Sequence, residues 1–392
     1  MRQNSGRVPA SGLRRLSGRL AALSAACALL LALLMGCSGE KPALSSAGVM
    51  HEEEFGGVYV ASTIEDFNRL GFQYGDSVRV SFSNGFVLED LPYYNGYYTQ
   101  TGEPLLVAYP GYPYIKVGIN NGADLWITAG LKEGDTAEIT LAERGKYAAV
   151  QRARDISYTD LRKDYPDDET FANFRMIRVG RIREGILYRA ASPLDDQHGR
   201  AAYVDALISR AGVRFILDLA DDRGKIEGYL SDPGFASPYA RSLFEDGKIY
   251  PAALNMNYGS EEFRGKITAG FAAMAEEEGP YLLHCTEGKD RTGFACILIE
   301  ALAGADLEEI TDDYMLTYRN YYGISGTHEK EKYDVIRENV LDPMIRTVAQ
   351  GAEDLSGADL EKGAEEYLTA GGMSRETLDR LRARLTGNET GR

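Results

Sequence analysis

The chain is poor in the residues that would place it in several function classes. It holds four histidines in 392 residues, and neither they nor the cysteines fall at metal-ligand spacing, so no metal centre is written into the sequence. Cysteine is equally scarce. Of the four, Cys27 and Cys37 belong to the leading segment, which leaves Cys285 and Cys296 and no disulfide framework. Basic residues are in the minority, 43 against 59 acidic ones for a net charge of −16, which excludes a general attraction to nucleic acid or to an anionic membrane. The one long apolar run, Leu20 to Met35, is short for a membrane span. There is no internal repeat, and no low-complexity segment beyond a Ser/Ala/Gly-rich stretch at 38–50.

What remains has the make-up of an ordinary globular chain, 44% hydrophobic and 26% charged, long enough for two domains. The first 36 residues stand apart, with five arginines (Arg2, Arg7, Arg14, Arg15, Arg19) and no acid ahead of the apolar run, the pattern of an export signal. The segment ends in Leu34-Met35-Gly36-Cys37, which resembles the cleavage box of bacterial lipoproteins. That resemblance implies a signal peptide over 1–36, lipidation of Cys37, a flexible tether over 37–50 and a chain anchored in the cell membrane at its extracytoplasmic face. The alternative is an uncleaved signal anchor.

Residues 51–150 carry β signals. Val78-Arg79-Val80-Ser81-Phe82 alternates in period two and turns through Ser83-Asn84-Gly85 into Phe86-Val87-Leu88. Tyr93-Tyr94-Asn95-Gly96-Tyr97-Tyr98 predicts a second hairpin, Asn121-Gly122 marks a third, and Ala137–Leu141 reads as a closing strand. A small all-β domain, barrel or sandwich, is expected. Its tyrosines suit either ligand recognition or plain packing, and no catalytic constellation lies among them.

Residues 151–392 alternate helix and strand, with a charged linker over 151–170. A helix at 199–211, strands at 213–219 and 249–256, a helix at 262–277 and a strand at 280–285 predict a largely parallel α/β sheet with its site at the strand C-terminal ends. Helices near 306–322, 328–350, 356–370 and 374–385 follow, either covering the sheet or acting as a lid. At the centre stands Tyr281-Leu282-Leu283-His284-Cys285-Thr286-Glu287-Gly288-Lys289-Asp290-Arg291-Thr292-Gly293, an apolar strand, a tight loop and then an apolar helix. Backbone N–H groups of such a loop and of the helix start converge on one point, which makes an anion site. The same positive end favours a thiolate at Cys285, and Arg291 can clamp two oxygens of a phosphate.

The full string resembles the signature loop of the cysteine-dependent protein tyrosine phosphatase superfamily, and in its Gly-Lys-Asp-Arg form the bacterial branch acting on phosphotyrosine and on phosphoinositides. Phe171-Ala172-Asn173-Phe174-Arg175 and Gly185 to Pro193 resemble segments that open that domain. The resemblance covers roughly residues 170–390 and implies a phosphomonoester hydrolase working through a cysteinyl phosphate, without a metal or other cofactor. Cys285 is then the nucleophile, and Thr286, Glu287, Gly288, Lys289, Asp290 and Arg291 form the phosphate-binding loop. His284 supports the loop, and Thr292 donates to the thiolate.

The usual acid about thirty residues before the cysteine is missing, because Asn255–Ser260 contains no Asp. Asp290 becomes the candidate general acid, with Asp222 and Asp218 as reserves. Lys289 either reaches a neighbouring phosphate or offsets Glu287, and Arg189 either supports the loop from below or serves a scaffold salt bridge. The substrate is a phosphorylated protein, or alternatively a phosphoinositide or inositol polyphosphate. A sulfurtransferase-like enzyme and a non-catalytic phospho-ligand-binding lipoprotein are the rivals from other classes.

Overall fold

A computed structural model of the chain describes residues 41–387. The signal peptide expected over 1–36 and the lipidation site Cys37 lie outside the described residues. Among the described residues, no helix is long and apolar enough to cross a membrane.

Seven strands close a barrel: β1 (Ala43–His51), β2 (Val58–Val60), β3 (Ser77–Phe82), β4 (Val87–Tyr94), β5 (Pro104–Val107), β6 (Ile115–Ile119) and β7 (Thr136–Glu143), in the order β1-β2-β6-β5-β4-β3-β7. Closure comes from β7, which pairs with both β1 and β3 and leaves no free edge. The period-two pattern of β3 does what it predicts, since Val78, Val80 and Phe82 point into the barrel core. The Asn84-Gly85 turn joins β3 to β4 as expected.

Two expectations are corrected here. The stretch 37–50 is not all tether, because Ala43–His51 is a barrel strand. It pairs through its backbone and buries only Val49, so its small polar side chains hide it from a composition reading. The Asn95-Gly96 hairpin is also absent, since β4 pairs with β5 in parallel. Neither Asn95 nor Gly96 takes the positive φ that a two-residue hairpin turn requires, and the Asn95 side chain is held by Gln151 Nε2 at 2.6 Å. Asn121-Gly122 does turn, but into the short helix Leu125–Thr128 rather than a strand.

The second body is an α/β sheet of β8 (Arg175–Met176), β9 (Leu187–Ala190), β10 (Phe215–Asp218), β11 (Ile249–Pro251) and β12 (Tyr281–His284), in the order β11-β10-β12-β9-β8. The first four in that order run parallel, and β8 is antiparallel to β9. Strand β12 is central and buried throughout, and the helix after it, Asp290–Leu302, is buried from Thr292 to Leu302. Such an all-round apolar helix belongs inside a core.

The helices Leu360–Ala370 and Arg375–Thr386 lay Tyr367, Leu368, Leu378, Leu381 and Leu385 into that core, so they cover the sheet. Each such fully buried side chain contributes about 1.5–3 kcal/mol. Ser374 caps the last helix, its Oγ accepting from the Thr377 amide at 3.1 Å. The expected helix over 328–350 is instead three pieces, Lys330–Ile336, a π-helical turn at Arg337–Leu341, and Asp342–Val348. Pro343 lacks the N–H that α-geometry would aim at the Asn339 carbonyl, and Gln100 of the barrel donates to that oxygen instead, at 2.7 Å.

Candidate active site

Cys285 follows β12 directly and is buried at 3% exposure, and the helix starts at Asp290. Between them the chain turns tightly. Gly288 sits at φ +68°, where a Cβ would lie 2.2 Å from the Ala190 carbonyl oxygen, so only glycine lets the loop press onto the end of β9.

Three successive loop carbonyls are tied to the surrounding scaffold, and a fourth is taken by the first turn of the following helix. The Ser192 amide donates to Thr286 O at 3.2 Å, and the Tyr321 hydroxyl donates to Glu287 O at 2.8 Å. Gly288 O accepts from Arg189 Nη2 at 2.9 Å and from Asn173 Nδ2 at 3.1 Å, while Lys289 O accepts from the Gly293 amide at 2.7 Å. A trans peptide points its N–H opposite to its C=O. Anchoring these carbonyls therefore turns the amides of Glu287, Gly288, Lys289 and Asp290 away from the scaffold, and none of them donates to an acceptor among the described residues. Together with the helix N-terminus they make a cradle for an oxyanion.

The anchors are themselves braced. Arg189 is fully buried and pairs with Asp313 Oδ2 at 2.5 Å, while Arg175 Nε holds Asp313 Oδ1 at 2.7 Å and Arg175 Nη1 holds Asn173 Oδ1 at 2.8 Å. Of the two roles open for Arg189, the structure places it under the loop, and the salt bridge to Asp313 is how it is held there. Asp313 and Asn173 act at a distance in sequence, and only the Asn-Phe-Arg resemblance pointed toward one of them. Cys296, Glu300 and Asp313 bring ligand atoms within 4.8 Å of one another beneath Arg189, and Asp313 is already committed to the two arginines.

Arg291 reaches back over the loop, with Nη2 3.3 Å from Thr286 Oγ1 and Nη1 3.3 Å from Leu254 O. These long bonds leave its fork available to an anion. His284 is fully buried, and burial pushes its imidazole down to about 4, so it is neutral at pH 7. Its Nδ1 lies 3.4 Å from the Cys285 carbonyl oxygen, which accepts from a protonated Nδ1 and fixes the tautomer. That is a positioning role.

Lys289 Nζ stands 3.2 Å from Glu287 Oε2, 3.7 Å from Asp290 Oδ2 and 3.3 Å from the Tyr322 hydroxyl. It offsets Glu287, the second of its two expected roles. Burial disfavours the Glu287 carboxylate, yet Lys289 and the Tyr158 hydroxyl that donates to it hold its pKa below the usual range. Tyr158 comes from the linker, and nothing in the sequence marked it.

Three expectations shift. The Thr292 hydroxyl is buried but makes no hydrogen bond, so the bond to the Cys285 thiolate is not formed here. Asp222 is exposed and caps the helix Arg223–Ser231, accepting from the Lys225 amide at 2.8 Å, a structural task that removes it from the reserves. Asp218 is fully buried, its Oδ1 taken by the Ala220 and Asp221 amides at 2.8 and 3.1 Å. Burial raises its carboxyl to about 7 and that of the neighbouring Asp221 to about 6.

Asp290 remains at the rim. It opens onto a cleft of about 830 Å³ between the sheet domain and the barrel, lined also by Tyr258, Asn257 and Arg346 on one side and by Tyr97, Gln100, Asn120 and Asn121 of the barrel on the other. The barrel, which carries no catalytic constellation of its own, thus borders the site.

Residues 170–387 match the model of the tyrosine phosphatase family. Among curated proteins, a tyrosine-protein phosphatase of Nostoc commune is 30% identical over 120 residues, 28% of this chain and 40% of that protein. A candidate tyrosine-protein phosphatase of Cupriavidus necator is 45% identical over 47 residues, 12% of this chain and 17% of that protein. The chain therefore spans less than half the length of the curated relatives it matches. The solved core catalytic domain of the PP-IP phosphatase SIW14 from S. cerevisiae, in complex with citrate, aligns over 47% of this chain and 93% of that one at 19% identity, with a TM-score of 0.25. Likeness at that score bears on neither fold nor function.

Proposed function

The chain belongs to the tyrosine phosphatase family, and from that premise we propose that it hydrolyses phosphomonoesters through a cysteinyl-phosphate intermediate on Cys285, with phosphotyrosine in proteins as the first substrate class. The observation that carries this reading is the cradle: four outward amides, Glu287 to Asp290, between a buried cysteine and the Arg291 fork. The amides and Arg291 hold the equatorial phosphoryl oxygens and meet the charge that builds on them in the transition state. Cys285 Sγ attacks phosphorus in line, forming S–P as the ester P–O bond breaks.

Asp290 gives its proton to the leaving oxygen, then takes one from the water that attacks the cysteinyl phosphate. The unpartnered Thr292 hydroxyl donates to the departing thiolate in that second step. The curated relatives are named tyrosine-protein phosphatases, which supports phosphotyrosine. A phosphoinositide or inositol polyphosphate is the second reading, favoured by two arginines that line the cleft, Arg154 and Arg346. A non-catalytic phospho-ligand binder is disfavoured because Cys285 and Arg291 are both present. We also propose that Cys37 carries lipid and anchors the chain at the extracytoplasmic face of the membrane, as its Leu-Met-Gly-Cys setting supports; metabolic labelling with a radiolabelled fatty acid, lost in Cys37→Ala, tests it.

The activity is tested by phosphate release, with reductant and chelator present, from the chain beginning at residue 38. Substrates are a phosphotyrosine peptide, a phosphoserine peptide, a phosphoinositide and an inositol polyphosphate, with Cys285→Ser as control. Release abolished in the variant supports the mechanism, and the best substrate identifies the class. Release that persists in the variant, or none from folded protein, overturns it.

A further inference from the structure

The cleft between the two bodies has a composition at odds with the rest of the molecule. The chain carries 59 acidic residues against 43 basic ones, yet among the described residues that line this cleft Asp290 is the single carboxylate, facing two arginines, Arg154 and Arg346. Most arginines of the sheet domain are engaged by carboxylates at close range, as Arg175, Arg189 and Arg200 are. These two are not. Arg154 stacks over the Tyr98 ring with its guanidinium carbon 5.4 Å from the centroid, and Arg346 lies in the field of Asp342 without bonding to it.

The lining also offers neutral amides, Gln100, Asn120, Asn121 and Asn257. Each amide nitrogen makes one bond within the protein and keeps a second N–H that an oxygen acceptor can use without added charge. The two walls are also fixed relative to each other. Gln100 Nε2 donates to Asn339 O at 2.7 Å, and Asn257 Nδ2 to Asn121 O at 3.5 Å. A volume of about 830 Å³ sits within the range of about 300–1,000 Å³ typical of small-molecule sites, so the cleft admits far more than one phosphoryl group.

We propose that this cleft is a second substrate subsite, in which Arg154 and Arg346 hold a further anionic group of the molecule whose phosphoryl group lies in the Cys285 loop, with barrel residues Gln100, Asn120 and Asn121 forming the opposite wall. The proposal rests on the phosphatase reading and extends it: the barrel sets specificity, and the preferred substrate carries at least two anionic groups. The second anion is a phosphate on the same small molecule or a carboxylate beside a phosphotyrosine, which share one chemistry of recognition by guanidinium.

The test measures kcat/KM for the full chain and for Arg154→Gln, Arg346→Gln and the double variant. Four substrates are compared: phenyl phosphate, an inositol bisphosphate, a phosphotyrosine peptide flanked by glutamates, and the same peptide with glutamines. The quantity read is the ratio of the rate on each doubly anionic substrate to that on phenyl phosphate, which a partly misfolded sample leaves unchanged. Each single variant is expected to lower that ratio about tenfold, through a rise in KM, for the inositol bisphosphate or for the glutamate peptide. Whichever ratio falls identifies the source of the anion. Lys132→Gln, exposed on the barrel and outside the cleft lining, leaves both rates at the wild-type level. Ratios unchanged in both arms, while phenyl phosphate is still hydrolysed, overturn the subsite and leave the phosphatase reading intact. No release from phenyl phosphate by the wild-type chain removes the phosphatase reading, and the subsite with it.

Discussion

A Cβ on residue 288 would stand 2.2 Å from the carbonyl oxygen of Ala190, closer than any side chain tolerates, in a backbone conformation at φ +68° that already disfavours one. Gly288→Ala is therefore expected to cost about 1–3 kcal/mol of stability and to displace the amide cradle, lowering kcat/KM by about a hundredfold. Denaturant unfolding and phosphate release check both, and a fully active variant would contradict the loop geometry.

A second residue-scale expectation concerns pH. Burial raises Asp218 to about 7 and lowers His284, 3.9 Å away, to about 4. Between about pH 4 and 7 the unfolded chain has released the Asp218 proton that the folded chain retains, so this group costs stability as pH rises. His284 has the opposite sign between about pH 4 and 6.5, where the unfolded chain binds a proton that the folded chain refuses. Asp218→Asn keeps an oxygen for the Ala220 and Asp221 amides and removes only the carboxyl. Its stability relative to wild type is expected to climb by up to about 1.4 kcal/mol per pH unit across that interval and then level off. Urea midpoints at pH 5 and pH 8 measure this, and a difference equal at both would contradict it. At this scale Cys285, Arg291 and Gly288 were legible because the chemistry is contiguous in the chain. Arg154, Arg346 and Tyr158 were not, because they reach the site only through the fold.

Between elements, the loop is held by one buried ionic network. Arg189 on β9 joins the Gly288 carbonyl to Asp313 on the helix Leu307–Tyr322, and Arg175 on β8 closes the same carboxylate. Arg189→Met leaves Asp313 short of a partner in the interior and is expected to destabilise by about 3–5 kcal/mol, read by chemical denaturation. A loss below about 1 kcal/mol would show that the network does not brace the loop. The strands and helices of the sheet domain were readable because their apolar periods are strong, as in Phe215–Asp218 and Tyr281–His284. Failures came where backbone pairing rather than side-chain pattern decides. The strand Ala43–His51 has few apolar residues, Asn95-Gly96 is recruited by a side chain from residue 151, and Pro343 breaks the α-pattern of a helix that looks continuous.

At the scale of the whole molecule, a barrel and an α/β sheet domain meet across a polar cleft, and their contacts include the bond from Gln100 to the Asn339 carbonyl. Gln100→Ala is expected to cost about 0.5–1.5 kcal/mol and to speed hydrogen exchange in the π-helical turn at Arg337–Leu341. Unchanged exchange there would mean that the barrel does not brace that turn. The barrel's architecture was expected from its strands, while its place beside Asp290 carried no sequence signal because every contact that sets it is long-range.

Phosphorylation of Cys285 during turnover is what rapid quench followed by mass spectrometry detects. During hydrolysis of a phosphotyrosine peptide, one phosphoryl group is expected on the fragment containing Cys285, present during turnover and absent in Cys285→Ser. Phosphate release without that adduct, continuing in Cys285→Ser, would contradict it.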